Sequence, residues 1–284
     1  MSVCFGLSSG IGNSLFCLPA IKVLSEREPV HLYVEGDYPM ARLFARCRWA
    51  TSVVGYPDSV PPCDRYLVGH AAPPRFVKSR LPFKRCGFAY GTTTYNCPEW
   101  QQVLEAATGS ALRQDVTNWW DDQLPLPEMM CDVALVPGCK PGREWERKKY
   151  PGMGDLAKAL RVLGFTVAVF GQKEDSPEYI QCTFDFRDQL TLEELPLKLR
   201  QCRVVVGTDS GITHLASSLG VPAVVIYTAT SPTKGDPVGV KVTKLWRALP
   251  CAPCQSIPRW HECKDWKCRE IPVEQALTAV LKFL

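Results

Sequence analysis

Val204-Val205-Val206-Gly207-Thr208-Asp209-Ser210-Gly211-Ile212-Thr213-His214-Leu215-Ala216 is the stretch whose reading decides the fold. Three consecutive valines predict a strand buried on both faces. The small residues that follow predict a tight turn opening a helix over 211–219, which Gly220-Val221-Pro222 ends. The first-turn amides of such a helix have no helical partners and carry the positive end of its dipole, so they suit a diphosphate. Ser210 falls at the N-cap. Gly211 lets a ligand approach the backbone. Thr213 and His214 fall in the first turn, where a hydroxyl and an imidazole add donors. A plain capped helix in an α/β sheet has the same local pattern, so the rest of the chain must decide.

Outward from this stretch the chain alternates. Downstream, 223–227 is a strand and 273–284 an amphipathic helix. Upstream, strands are predicted at 132–136 and 166–170, with helices at 153–163 and 192–200. Further back come a strand at 3–7, a Gly-rich turn at Ser8–Asn13, and a helix over 15–24. A strand at 30–34, a helix at 40–46 and a strand at 52–56 follow. Residues 57–98 are irregular and rich in Pro, Arg and Lys, and 100–107 is helical. Residues 121–130, with Leu-Pro-Leu-Pro, read as a linker. The expectation is an α/β protein of two Rossmann-like domains, 1–126 and 127–284, each a parallel sheet covered by helices. Their ligands would sit beyond the carboxyl ends of the strands.

Bulk properties narrow the function. A chain of 284 residues suits two domains, and a net charge of +4 is too mild for nucleic acid. It suits a small anionic ligand or loose peripheral contact with an anionic membrane. The N-terminus lacks the pattern of a signal peptide and no apolar run reaches about 18 residues, so a cytoplasmic protein with reduced thiols is expected.

Three further segments bear on chemistry. Lys140, Arg143, Arg147, Lys148 and Lys149 crowd the loop after the 132–136 strand, on the ligand side, where cations meet a diphosphate and stabilise a leaving nucleotide. Glu174, with Asp175 beside it, closes the 166–170 strand, where a carboxylate commonly binds ribose hydroxyls. Gly10-Ile11-Gly12-Asn13-Ser14-Leu15 opens like a dinucleotide fingerprint, and Glu35 ends the second strand, which is the case for a nicotinamide or flavin oxidoreductase. Leu15 stands where the third glycine belongs, and these glycines serve an acceptor or sugar equally well. Cys251, Cys254, Cys263 and Cys268 have metal-finger spacing with His261 inside it, giving a structural zinc or iron; reduced loop thiols, or disulfides in an oxidising compartment, are the alternatives. Trp246, Trp260 and Trp266 are expected to pack this small lobe.

Ser8–Leu15 with Leu18-Pro19-Ala20-Ile21, then Lys148-Lys149-Tyr150-Pro151, then Thr208–Ala216, resemble in order three motifs of glycosyltransferase family nine, the ADP-heptose:lipopolysaccharide heptosyltransferases. The resemblance implies a GT-B fold, inversion at the anomeric carbon and chemistry without a metal. It implies a nucleotide-diphosphate sugar donor, ADP-linked by preference, and a saccharide or glycolipid acceptor, as in surface-glycan synthesis at the inner face of a membrane. Asp209, Ser210, Gly211, Thr213 and His214 would then hold the donor with Lys148 and Glu174. Gly10, Gly12 and Asn13 would face the acceptor. The chain departs from the lipopolysaccharide-core enzymes at Asn13, where they carry an aspartate proposed as general base. An amide cannot take a proton at neutral pH. Glu35 and Asp37 are the substitute candidates, and a non-catalytic nucleotide-sugar-binding relative is the other reading.

Overall fold

The computed structural model describes residues 1–7, 10–35, 39–69, 80–89, 92, 94–121, 128–140, 142, 145–254 and 262–284. Among them, two wholly parallel sheets share the strands. The first holds β1 (Val3–Leu7), β2 (Val30–Val34), β3 (Ser52–Gly55), β4 (Arg65–Val68) and β5 (Phe83–Arg85), in the order β3-β2-β1-β4-β5. The second holds β6 (Cys131–Val136), β7 (Val167–Val169), β8 (Phe184–Asp185), β9 (Cys202–Thr208), β10 (Ala223–Tyr227) and β11 (Val242–Trp246), in the order β11-β10-β9-β6-β7-β8. All registers are parallel, so every strand in a sheet ends on the same side.

Helices cover the sheets. They are α1 (Ile11–Leu15), α2 (Leu18–Ser25), α3 (Met40–Phe44), α4 (Glu99–Thr108), α5 (Met153–Val162), α6 (Leu195–Arg200), α7 (Gly211–Ser218) and α8 (Val273–Leu281). The helix expected over 15–24 begins later, as α2 at Leu18, and α1 takes up Ile11–Leu15, overlapping the expected Gly-rich turn. Pro19 has no N–H to donate to Leu15, so the helical ladder cannot run through Phe16-Cys17, and α2 restarts with Pro19 in its first turn. The edge strands β8 and β11 were not foreseen. β8 has two residues, and β11 exposes half its side chains, leaving little apolar signal. Trp246 closes β11 with 44% exposure.

Most of the expected linker, 122–127, lies outside the described residues. Its ends do not. Trp120 bridges Cys47 and Asp121 N–H donates to the Arg46 carbonyl, while Met130 N–H donates to the Gln201 carbonyl. The largest apolar cluster ignores this boundary. It takes in Leu15, Phe16 and Leu18 before it, and Leu215, Ala216 and Leu219 after it. Trp119, fully buried, donates its indole N–H to Ser218 Oγ at 3.1 Å. No described helix is long and apolar enough to cross a membrane.

Candidate functional site

β9 is central in its sheet, flanked by β10 and β6, and its carboxyl end delivers the turn that opens α7. Val204–Thr208 are buried, which is what a valine run between two covered faces requires. Ser210 is extended (φ −142°, ψ 161°) and caps α7 without a side-chain bond to its amides; its hydroxyl instead meets Thr213 Oγ1 at 3.1 Å. The first amides therefore stay available to an anion.

The turn faces the other half of the molecule. A Cβ on Gly211 would lie 3.0 Å from Ile11 Cβ and 3.5 Å from Gly12 N, and one on Gly12 would lie 3.4 Å from His214 Cδ2. Phe16 sets its ring edge-on to His214, centroids 4.9 Å apart. Gly10 precedes α1 at φ 97°, a left-handed conformation that glycine adopts freely. The structure thus brings Ile11, Gly12 and Phe16 against Gly211 and His214, while a Cβ on Gly10 would meet none of the described residues within 4 Å. Asn13, Ser210 and Gly211 are partly exposed in this seam.

Asp209 organises the charges. Its Oδ1 lies 2.8 Å from His214 Nε2 and its Oδ2 3.2 Å from Lys148 Nζ. Burial alone would raise this carboxyl. The Lys148 ammonium and the His214 hydrogen bond outweigh burial and hold Asp209 well below the usual carboxylate range. Lys148 ends a short 3-10 turn, Glu146–Lys148, and lies over the Trp145 ring, 5.5 Å from its centroid. Asp209 is therefore an anchor for two donors at the helix start, not an isolated acceptor.

Other expected residues are placed differently. Thr213 is fully buried, with its hydroxyl turned toward Ser210, because the helical period puts it on the sheet side of α7. His214 is 3% exposed and its Nδ1 is buried without a hydrogen-bond partner among the described residues. Glu174 is exposed; the neighbouring Asp175 is the buried carboxylate. Asp175 packs against Gly138 at the end of β6, where a glycine Cβ would stand 2.8 Å from the Asp175 Cβ. Burial pushes Asp175 up to about 6; Lys149 opposes this, while Glu174, Asp188 and Glu146 add to it. Its Oδ1 has no hydrogen-bond partner among the described residues.

Of the basic loop, Arg147 is buried at 4% exposure, Lys149 pairs with Glu146 at 2.6 Å, and Arg143 lies outside the described residues. Glu35 sits at the carboxyl end of β2, its N–H bonded to the Leu7 carbonyl beside the Gly10 turn. Asp37 lies outside the described residues.

The cysteine segment leans on the Lys148 turn. Arg269 Nε donates to the Lys149 carbonyl at 2.8 Å, Tyr150 OH to the Ile271 carbonyl at 2.9 Å, and the Arg147 side chain bonds the Cys254 thiol. Burial pushes the Cys268 thiol up to about 11, and Cys254, Cys263 and Cys251 add to the rise. Among the described residues, no three His, Cys, Asp or Glu stand close enough to hold a metal ion. His261 and Trp260 lie outside them, and Trp266 stacks on Arg269, 4.9 Å from ring centroid to guanidinium.

Two parallel-sheet halves meeting at an anion-ready helix start define the GT-B class of fold, and solved structures agree. Escherichia coli ADP-heptose lipopolysaccharide heptosyltransferase II superposes with a TM-score of 0.64 at 16% identity, covering 99% of both chains. The iron-containing dodecameric glycosyltransferase TibC of enterotoxigenic E. coli gives 0.67 at 17% identity, over 99% of this chain and 75% of that one. The family model for glycosyltransferase family 9 (heptosyltransferase) matches residues 121–264, and the chain belongs to that family. Lipooligosaccharide heptosyltransferase 2 of Haemophilus influenzae is 27% identical over 124 residues, 39% of this chain. That match spans about a third, 35%, of the relative's own length.

Proposed function

We propose that this protein is an inverting glycosyltransferase moving heptose or a related sugar from a nucleoside diphosphate, ADP by preference, to a saccharide or glycolipid acceptor. The observation that carries the reading is the Lys148–Asp209–His214 array at the start of α7, set against Gly12 across the seam. The acceptor hydroxyl attacks the anomeric carbon from the face opposite the diphosphate. Negative charge grows on the leaving diphosphate, and the Ser210–Gly211 amides and Lys148 stabilise it. Asn13 orients the acceptor, and Glu35 or Asp37 takes its proton. A glycolipid acceptor would bring the enzyme to the inner face of the membrane. The oxidoreductase reading is not favoured, since the matching family model and the solved structures described above are those of glycosyltransferases.

The test is a binding screen over ADP- and UDP-sugars followed by turnover, read as nucleotide release with a panel of acceptors. Donor hydrolysis or transfer with ADP-heptose supports the proposal. Nicotinamide binding with no nucleotide-sugar binding would sink it. Donor binding with no turnover on any acceptor would leave a non-catalytic relative.

Asp175, rather than Glu174, is the proposed ribose ligand: a buried carboxylate oxygen with no partner among the described residues is suited to a hydroxyl donor. Because the fold raises this group above its ordinary value of 3.8, to about 6, it favours the neutral form. Its contribution to stability is therefore present below about pH 4 and is lost as pH rises through about 6. Asp175→Asn is expected to stabilise the ligand-free protein at pH 7 by about 1–3 kcal/mol. The same variant should weaken ADP binding. Urea unfolding and calorimetry check the two signs; a destabilised variant with normal ADP affinity would overturn the assignment.

Cys251, Cys254, Cys263 and Cys268 are proposed as ligands of a structural zinc or iron. What supports the reading is the chemistry and sequence spacing of four soft thiols; since no three of the described residues stand close enough to hold an ion, binding would have to draw the segment together. The metal would brace the Lys148 turn and take no part in transfer. About one equivalent of metal per chain is expected by plasma emission, and Cys268→Ser should lose it.

A further inference from the structure

Lys234-Gly235-Asp236 lies in the loop after β10, on the ligand side of the second sheet. Its middle residue rests on the donor turn. A Cβ on Gly235 would stand 3.3 Å from Asp209 Oδ1 and 3.1 Å from the Tyr227 ring, and Tyr227 OH donates to the Gly235 carbonyl. Its two flanking residues grip the first half of the molecule with opposite charges. Lys234 Nζ is 3.9 Å from Glu99 Oε2 and lies over the Tyr95 ring, 5.2 Å from its centroid. The Lys234 carbonyl accepts the Glu99 N–H at 2.9 Å, at the very start of α4. Asp236 Oδ2 accepts the Trp100 indole N–H at 3.2 Å and Arg113 Nη1 at 3.3 Å. Arg113 also reaches the carbonyls of Pro237 and Gly239 and lies over Trp100. Lys244 holds the other Asp236 oxygen at 2.7 Å.

The arrangement has two properties that a chance surface contact lacks. The charges are reciprocal: Glu99 and Arg113 of the first half meet Lys234 and Asp236 of the second, so a shifted docking sets like charges together. The contact is also well withdrawn from water. The side chains of Glu99, Lys234 and Asp236 are 1%, 17% and 15% exposed, while Arg113 is 39% exposed, so the Lys234–Glu99 pair is better shielded than Arg113–Asp236.

We infer that Lys234, Gly235 and Asp236 form a clasp that positions the two halves for transfer and couples their docking to occupancy of the donor site through Asp209. Lys234 and Asp236 are positioning residues. A donor that engages Lys148 and the Gly211 amides shifts the load on Asp209. Gly235 is packed too tightly against Asp209 and Tyr227 not to feel it, and Glu99 and Trp100 lie on either side. Coupling of this kind is reciprocal, so weakening the clasp must also weaken donor binding at a distance.

The inference rests on the proposed donor site, and the experiment separates the two. Hydrogen exchange is followed over 99–104 in the ligand-free and ADP-bound full-length protein, and ADP affinity is measured by calorimetry. In the native protein ADP should slow exchange over 99–104. Lys234→Met should speed ligand-free exchange there and weaken ADP about fivefold or more. Lys234→Arg should restore both. Gly235→Ala, which leaves every charge in place, should uncouple ADP binding from exchange at 99–104, and it decides the matter if Lys234→Met does not fold. Unchanged ADP affinity in the folded Lys234→Met protein, or an ADP effect that survives Gly235→Ala, overturns the clasp. Failure of the native protein to bind ADP overturns the donor site instead, while the ligand-free exchange comparison still judges the contact.

Discussion

Lys148→Met is expected to lower turnover with a nucleotide-sugar donor by about 10²–10³-fold, the loss typical when one preorganised donor to a developing anion is removed. Two effects add. The ammonium no longer meets the departing diphosphate. Asp209, held as a carboxylate chiefly by that ammonium despite its burial, then faces the same diphosphate with its charge less well balanced. Methionine keeps much of the length and sets a thioether near the Trp145 ring where the ammonium lay, so the fold should persist. Lys148→Arg should recover little, because a planar guanidinium does not reproduce a point charge at 3.2 Å from Asp209 Oδ2. ADP release under saturating donor, with circular dichroism to confirm folding, is the measurement. Turnover within about threefold of native would remove Lys148 from the mechanism.

Gly207→Ala should destabilise the protein by about 3 kcal/mol, at the upper end for overpacking by one methyl group. The added carbon would overlap Thr213 Oγ1 and stand 2.8 Å from Val136 Cβ and 3.0 Å from the Val136 carbonyl. Neither strand can yield, since β9 is bonded to β6 through that register and β6 is a central strand itself. Thr213 is the softer neighbour, and moving it displaces the first turn of α7. Donor affinity should therefore fall along with stability. Urea unfolding midpoints and ADP calorimetry would check this pairing; a variant as stable as the native protein would mean that the β9–α7 junction is slacker than its geometry indicates.

Much of this site could be read from residues alone. The valine run, the small turn and the helix after it were legible because each uses a strong local preference. The alternation on either side of the stretch placed it in a parallel sheet. Side-chain direction was harder. Glu174 and Asp175 are neighbours of like chemistry, and which one turns inward depends on the space beside Gly138, far away in the chain. Thr213 and His214 belong to one helical turn, yet α7 buries Thr213 against its own sheet while His214 reaches Asp209. Lys148 was picked out by its place after a strand, but its pairing with Asp209 depends on two loops meeting beyond adjacent strands. Lys234 and Asp236 gave no signal at all. In a Ser-Pro-Thr-Lys-Gly-Asp-Pro stretch they look like any solvated turn, and their partners Glu99, Trp100 and Arg113 lie in the other half of the chain.

The apolar cluster that crosses the seam has a consequence for how such a molecule is divided. A cut near residue 126 would separate the sheets cleanly but would strip Leu15 and Phe16 from Leu215 and Ala216, and Trp119 from Ser218. Each fragment would carry a sticky flank along its most ordered edge. The halves are thus better regarded as partners obliged to mature together than as interchangeable modules, and grafting either onto a foreign mate would require rebuilding that flank first.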